Sequence, residues 1–291
     1  MDDPVAGAVL RTLTYADLFD YAMTPEEVFR FLIGVRASRA DVESALNDHS
    51  RLNGSIARAE GFLTLSQRQS LVAARARLHA AAQRQFPRAR FYAHLLAGLP
   101  FVRMVAITGG LAMENARDGD SDYMLVTEPG RVWLVRGMTV ALVRIAHLFG
   151  DRLCPNMLIS TNALAMTDQN LYTAHEIVQM IPLYGMDWYR RMCALNPWTA
   201  TFLPNAGSMQ ARESEMPPGR IRRILKRMGE WALGGKFGDR LERWEMQRKI
   251  VKLSRQVPAN ADDVTFSADA CRGFFSGHQR RVLTEFEARD R

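Results

Sequence analysis

Two aspartates separated by one residue, Asp120 and Asp122, are the part of this 291-residue chain whose spacing points most directly to chemistry. On an extended strand, alternate side chains leave on the same side, so these two carboxylates are presented together. Neighbouring carboxylates repel and are costly to keep ionised unless a cation sits between them. A hard divalent cation such as Mg²⁺ takes oxygen ligands, commonly one or two carboxylates with substrate phosphates. Upstream, the apolar run Met104-Val105-Ala106-Ile107 ends at Thr108-Gly109-Gly110. There, backbone N–H groups can approach a ligand with no Cβ in the way. A second apolar run, Tyr123 to Val126, follows the acids, and both runs have the length of buried strands. A glycine bend facing paired acids suits a metal–triphosphate complex. DGDSD is also ordinary turn composition, and that alternative stays open.

At these residues the chain resembles the nucleotidyltransferases of the DNA polymerase beta-like superfamily. The shared pattern is a glycine pair, a nine-residue spacer, Asp-x-Asp and a hydrophobic run. Gly110 stands where that family usually has Ser, and Ser121 where it usually has an apolar residue. The resemblance implies transfer of a nucleoside monophosphate from an NTP, such as ATP, to an acceptor, with release of pyrophosphate. The acceptor class is open among small molecule, RNA and protein. Asp120 and Asp122 would be the catalytic acids, holding one or two Mg²⁺ ions. Gly109 and Gly110 would cradle phosphate oxygens, Thr108 would replace the missing serine hydroxyl, and Arg117 or Arg103 would neutralise the leaving pyrophosphate. The family's third strand usually carries a third carboxylate, and here Asn156 falls near that position as a candidate third ligand. An amide can accept a metal contact but cannot take a proton. Asp168, Asp151 or Glu176 would then supply the acid, or there is none. The competing reading is a catalytically inactive fold of the same kind that binds nucleic acid or a protein.

The elements that must position these residues read as follows. Residues 4–21 carry an apolar stripe (Val9, Leu10, Leu13, Leu18, Phe19) and predict a helix. Thr24-Pro25-Glu26-Glu27 is a capping box opening a second helix to about Ile33, and Ser38 with Asp41 opens a third to about Leu46. Residues 55–65 read as a hairpin turning at Glu60-Gly61. Three helices and a hairpin resemble a winged-helix module, although its third helix mixes Arg39 with acids and packing against the rest of the chain is the plainer expectation. Residues 66–98 predict a basic helix broken at Pro87. A long amphipathic helix from Arg131 to Leu148, a strand at about 156–161 and a helix from Leu171 to Met180 complete a strand–strand–helix–strand–helix order. His175 beside Glu176 could form a catalytic pair, although a structural hydrogen-bonder is the plainer reading of a helix-borne histidine.

The expected fold class is therefore α+β: a small mixed sheet flanked by helices (66–205), a winged-helix-like module (1–65) and a basic helical C-terminal region (206–291). A loop boundary is expected near 205–219, around Pro217-Pro218-Gly219. Residues 220–255 hold twelve cations against four acids. Ile221, Leu225, Met228 and Trp231 recur at helical spacing there, predicting one docking face and one cationic face that could hold triphosphate or nucleic acid. The same pattern occurs in membrane-surface segments. The tail from Asp269 reads as one more helix.

The net charge of +7 and pI near 9.7 favour acidic partners. Three distant cysteines match no disulfide framework or zinc spacing and suggest reduced thiols in a cytoplasm. The acidic N-terminus carries no export signal, and the longest apolar segment is interrupted by Arg136, Arg144 and His147, so no transmembrane segment is expected. No nucleophile-elbow or P-loop lysine motif occurs, which leaves hydrolase and kinase readings without support.

Overall fold

The first three helices begin where side chains can cap them. Asp3 accepts from the N–H groups of Val5 and Ala6 at the start of α1 (Pro4–Asp17). Thr24 with Glu27 and Ser38 with Asp41 form full capping boxes on α2 (Pro25–Arg30) and α3 (Arg39–Asn47). The hairpin of β1 (Ile56–Ala59) and β2 (Phe62–Leu65) pairs Ala59 with Phe62. Its two turn residues, Glu60 and Gly61, both take positive φ, as a two-residue hairpin turn requires. Residues 3–48, 52, 54–117, 119–207, 219–257, 264–273 and 277–290 are described in this computed structural model. Most of the expected 205–219 boundary therefore lies outside the described residues.

The helix from Ser70 to Ala97, α4, runs through Pro87 without a break, contrary to expectation. An interior proline costs roughly 3 kcal/mol. Burial of Ala82, Ala89, Ala93 and Leu96 against the sheet outweighs it.

The main sheet contains β3 (Val102–Thr108), β4 (Asp120–Thr127), β5 (Arg152–Ser160), β6 (Ile181–Tyr184), β7 (Val264–Phe266) and β8 (Ala270–Gly273). Their order is β6-β3-β4-β5-β8-β7. The β4–β5 pair is parallel, joined through α6 (Val132–Leu148), and the other pairs are antiparallel. A single helical turn, α5 (Gly109–Ala112), follows β3. One sheet face sets Val105, Ile107, Tyr123 and Leu125 against α4 and α6. The other sets Met104, Ala106, Met124 and Met157 against α7 (Leu171–Gln179) and α8 (Met186–Leu195). This is the mixed α+β arrangement expected.

After α9 (Thr199–Phe202) come α10 (Arg220–Leu233), α11 (Lys236–Ser254) and α12 (His278–Arg289). The expected tail helix is present as α12 but starts later: β7 and β8 form a hairpin that joins the sheet beside β5, with Met157 opposite Arg272, before that helix begins. A hydrophobic cluster unites α1–α3 with α7, α9 and α12, through Leu13, Val28, Leu171, Leu203 and Phe286. The N-terminal module thus packs on the chain's own later helices.

The orientation of α10 is the reverse of the expected one. Ile221, Leu225, Met228 and Trp231 are exposed, while Lys226 is buried. Its Nζ donates to the carbonyls of Ala97 (3.0 Å) and Val102 (2.5 Å). Gly229 faces Pro100 so closely that a Cβ there would lie 2.5 Å from the proline ring. The helix docks through Lys226, Gly229, Glu230 and Leu233.

Candidate functional site

Cross-strand register brings the first pair of site residues together. Thr108, the last residue of β3, lies directly opposite Asp122 of β4. On the other side of β4 the parallel register with β5 shifts between Tyr123 and Met124, leaving Asn156 as the extra residue of a bulge. The bulge turns Asn156 toward Asp122, where its Nδ2 donates to Asp122 Oδ1 at 2.6 Å. Gly109 takes φ +63°, and a Cβ on it would lie 2.4 Å from Asp122 Oδ2. Only glycine leaves room for this carboxylate against the bend. Gly110 is explained differently. A Cβ there would lie 2.8 Å from the carbonyl oxygen of Asn115, whose N–H donates to the Gly110 carbonyl at 2.7 Å. The tight 110–115 loop excludes the serine that the family pattern would put at this position.

Thr108, Gly109, Gly110, Asp122 and Asn156 line one end of a cavity of about 360 Å³. Asp120 shares the face of Asp122 along β4 but lies outside that lining, one pair further out, opposite Arg152. Asp120 Oδ1 is 3.1 Å from Arg152 Nε, yet it is buried without a hydrogen bond. Among the described residues, no group of three or more His, Cys, Asp or Glu is placed to hold a metal. Two hard carboxylates, one with a buried oxygen that meets Arg152 without an aligned hydrogen bond, would fit a single Mg²⁺ completed by ligand phosphates.

Of the three candidates for a third acid, Glu176 of α7 lines this cavity. Burial pushes its carboxyl up to about 7, Arg272 opposes that, and the charge on Asp122 adds to it. Asp168 is paired with Arg272 at 2.7 Å, and Asp151 with Arg88 and the Tyr92 hydroxyl. The candidate cations are also engaged elsewhere. Arg117 Nη1 pairs with Asp20 at 2.6 Å, and Arg103 with Glu128 and Glu230, at 2.5 and 2.7 Å. Neither lines the cavity.

The cavity also has an aromatic wall, from three separated segments: Tyr15 of α1 with Phe19 just beyond that helix, Tyr172 and His175 of α7, and His278 of α12. The His175 ring stacks on Tyr15 at 4.4 Å, and its Nδ1 meets Gln179 Nε2 at 2.8 Å. Burial drives His175 down to about 3, so the ring is neutral, and its Nε2 has no hydrogen-bond partner. With Gln179 donating to Nδ1, Nε2 carries the proton. The aromatic side chains nearer the motif in sequence, Tyr123, Trp133, Tyr184 and Trp188, do not line this cavity. Tyr123 is buried with its hydroxyl on the Ala89 carbonyl, Trp133 is fully buried, and Tyr184 and Trp188 lie against Lys226 and Arg191.

One network fixes the N-terminal wall to the bend. Arg75 of α4, buried, donates to the Tyr21 hydroxyl (2.9 Å) and the Glu114 carbonyl (2.9 Å), and Tyr21 donates to Glu27 (2.5 Å). A helix-borne arginine gave no such signal in the sequence, where it counted only toward a basic face. Comparison with known protein-family models, with curated proteins and with solved structures matches this chain to none of them.

Proposed function

We propose that this protein transfers a nucleoside monophosphate from a Mg²⁺-bound NTP to an acceptor hydroxyl or similar group. The observation that carries the reading is the convergence of Asp122, Thr108, the Gly109 bend and Glu176 on one end of a single cavity. Asp120 and Asp122 would hold the ion. When bound, it neutralises phosphate charge and lowers the pKa of an attacking group. Gly109 gives the Asp122 carboxylate its place against the bend where the phosphates would bind, and Thr108 lines the same cavity. Asn156 fixes the rotamer of Asp122 from behind through their 2.6 Å bond. Glu176, poised at about 7, takes the acceptor's proton. The aromatic wall, with the neutral His175 ring among it, receives a planar group. In this reading the winged-helix-like module walls the cavity, and α1 is occupied by that task instead of by nucleic acid.

A second reading is favoured by the internal partners of the acids. Arg152 beside Asp120 and Asn156 on Asp122 partly satisfy both carboxylates without an ion. A quiet module that binds its ligand without turnover would keep that arrangement. Mg²⁺-dependent pyrophosphate release, measured with each NTP and a cell-extract acceptor, separates the two. Release that disappears in Asp122→Asn supports transfer, and its absence with every NTP supports the quiet module.

A further inference from the structure

The outward face of α10 is the largest unexplained feature. Ile221, Ile224, Leu225, Met228 and Trp231 are each more than half exposed, Trp231 at 88% and Ile221 at 75%. At roughly 100° per residue they occupy one arc of about 120°. Arg220, Arg223 and Arg227 follow along one edge of that arc and are exposed as well. The single acid of the helix, Glu230, is turned inward, with Oε1 accepting from Arg103 Nη1 (2.7 Å) and the Phe101 N–H (2.9 Å). Every exposed charge on α10 is therefore positive. On the buried side, Lys226 is satisfied by the carbonyls of Ala97 and Val102.

We propose that α10 is an interfacial helix that seats this protein on an anionic lipid surface. A stripe of long aliphatic side chains ending in an exposed tryptophan matches the boundary between headgroups and acyl chains, and a cationic edge matches anionic headgroups. Nucleic acid would use the arginines but leave the Ile, Leu and Met side chains in water, since aliphatic groups neither stack on bases nor bond phosphate. Charge complementarity therefore selects the lipid surface. No helix among the described residues is long and apolar enough to cross a membrane, so the attachment is peripheral. This inference stands independently of the transferase reading.

The test is co-sedimentation of the full chain with phosphatidylcholine vesicles, with and without phosphatidylglycerol. Binding is expected to the anionic vesicles and to weaken with salt. Met228→Ser/Trp231→Ser should reduce it at least about ten-fold. Arg220→Gln/Arg223→Gln/Arg227→Gln should remove the preference for anionic vesicles. The substituted side chains are exposed, so the thermal melt should be unchanged. Failure to bind anionic vesicles, or equal binding by the serine variant, overturns the proposal. So does a concentration-dependent dimer that the serine variant converts to monomer without vesicle binding, since the stripe would then close on a second copy.

Discussion

Gly109→Ala is the most discriminating perturbation of the site, because two separable costs act at that position. Its φ of +63° belongs to the left-handed region, and alanine there costs roughly 1–2 kcal/mol. The new Cβ would also stand 2.4 Å from Asp122 Oδ2, about 1 Å inside normal contact, which as overpacking costs about 1–3 kcal/mol or displaces the carboxylate. Gly130→Ala is the control, since Gly130 has φ +68° and open space around its Cβ position. It should lose about 1–2 kcal/mol, and Gly109→Ala measurably more. The assay is urea unfolding of both variants, with equal slopes confirming that only stability changed. A second readout is stabilisation by Mg²⁺–ATP, which Gly130→Ala should keep and Gly109→Ala should lose with the displaced carboxylate. Equal destabilisation with equal ligand response would refute the close packing of Asp122 against the bend.

The remaining predictions concern charge and docking. The Glu176 carboxyl is raised from 4.5 to about 7, so the native state binds more protons than the unfolded chain between those values. The stability it contributes is complete below about pH 4.5 and lost as pH rises through about 7, by at most about 3 kcal/mol. Glu176→Gln should flatten the stability profile over that interval, and an unchanged profile in denaturant melts would contradict the burial assigned to it. Asn156→Asp places a second acid against Asp122 in place of a 2.6 Å bond. Without metal it should cost about 1–3 kcal/mol, and added Mg²⁺ should restore stability in thermal melts. Lys226→Met strips the buried carbonyls of Ala97 and Val102 of their shared donor. It should destabilise by about 1–3 kcal/mol in the same melts, whereas a surface lysine would be neutral.

The strand–glycine–acid segment was legible because its determinants are local. Strand length, a backbone position that tolerates only glycine and the two-residue period all act over a few residues. The capping boxes of Thr24 and Ser38 were legible for the same reason. The bulge that aims Asn156 was not, since it is set by pairing between β4 and β5; Pro155 inside the strand is compatible with a bulge but does not place it. The aromatic wall escaped notice because Tyr15, Tyr172 and His278 lie on helices whose facing surfaces are chosen by tertiary packing. The period of α10 was readable, but the rule that an apolar stripe faces inward failed there. Gly229 and Lys226 allow the close approach to Pro100 and the 97–102 turn that the larger apolar side chains would block.

The central claim is that Asp122 takes part in binding a metal–triphosphate at the Gly109 bend. The most direct measurement is the thermal midpoint of the parent chain and of Asp122→Asn, each with Mg²⁺ alone, an NTP alone and both together. A rise in the parent only when both are present, absent from Asp122→Asn, is the predicted result. A parent that shows no such rise with any NTP, or an Asp122→Asn variant that matches it, would contradict the claim.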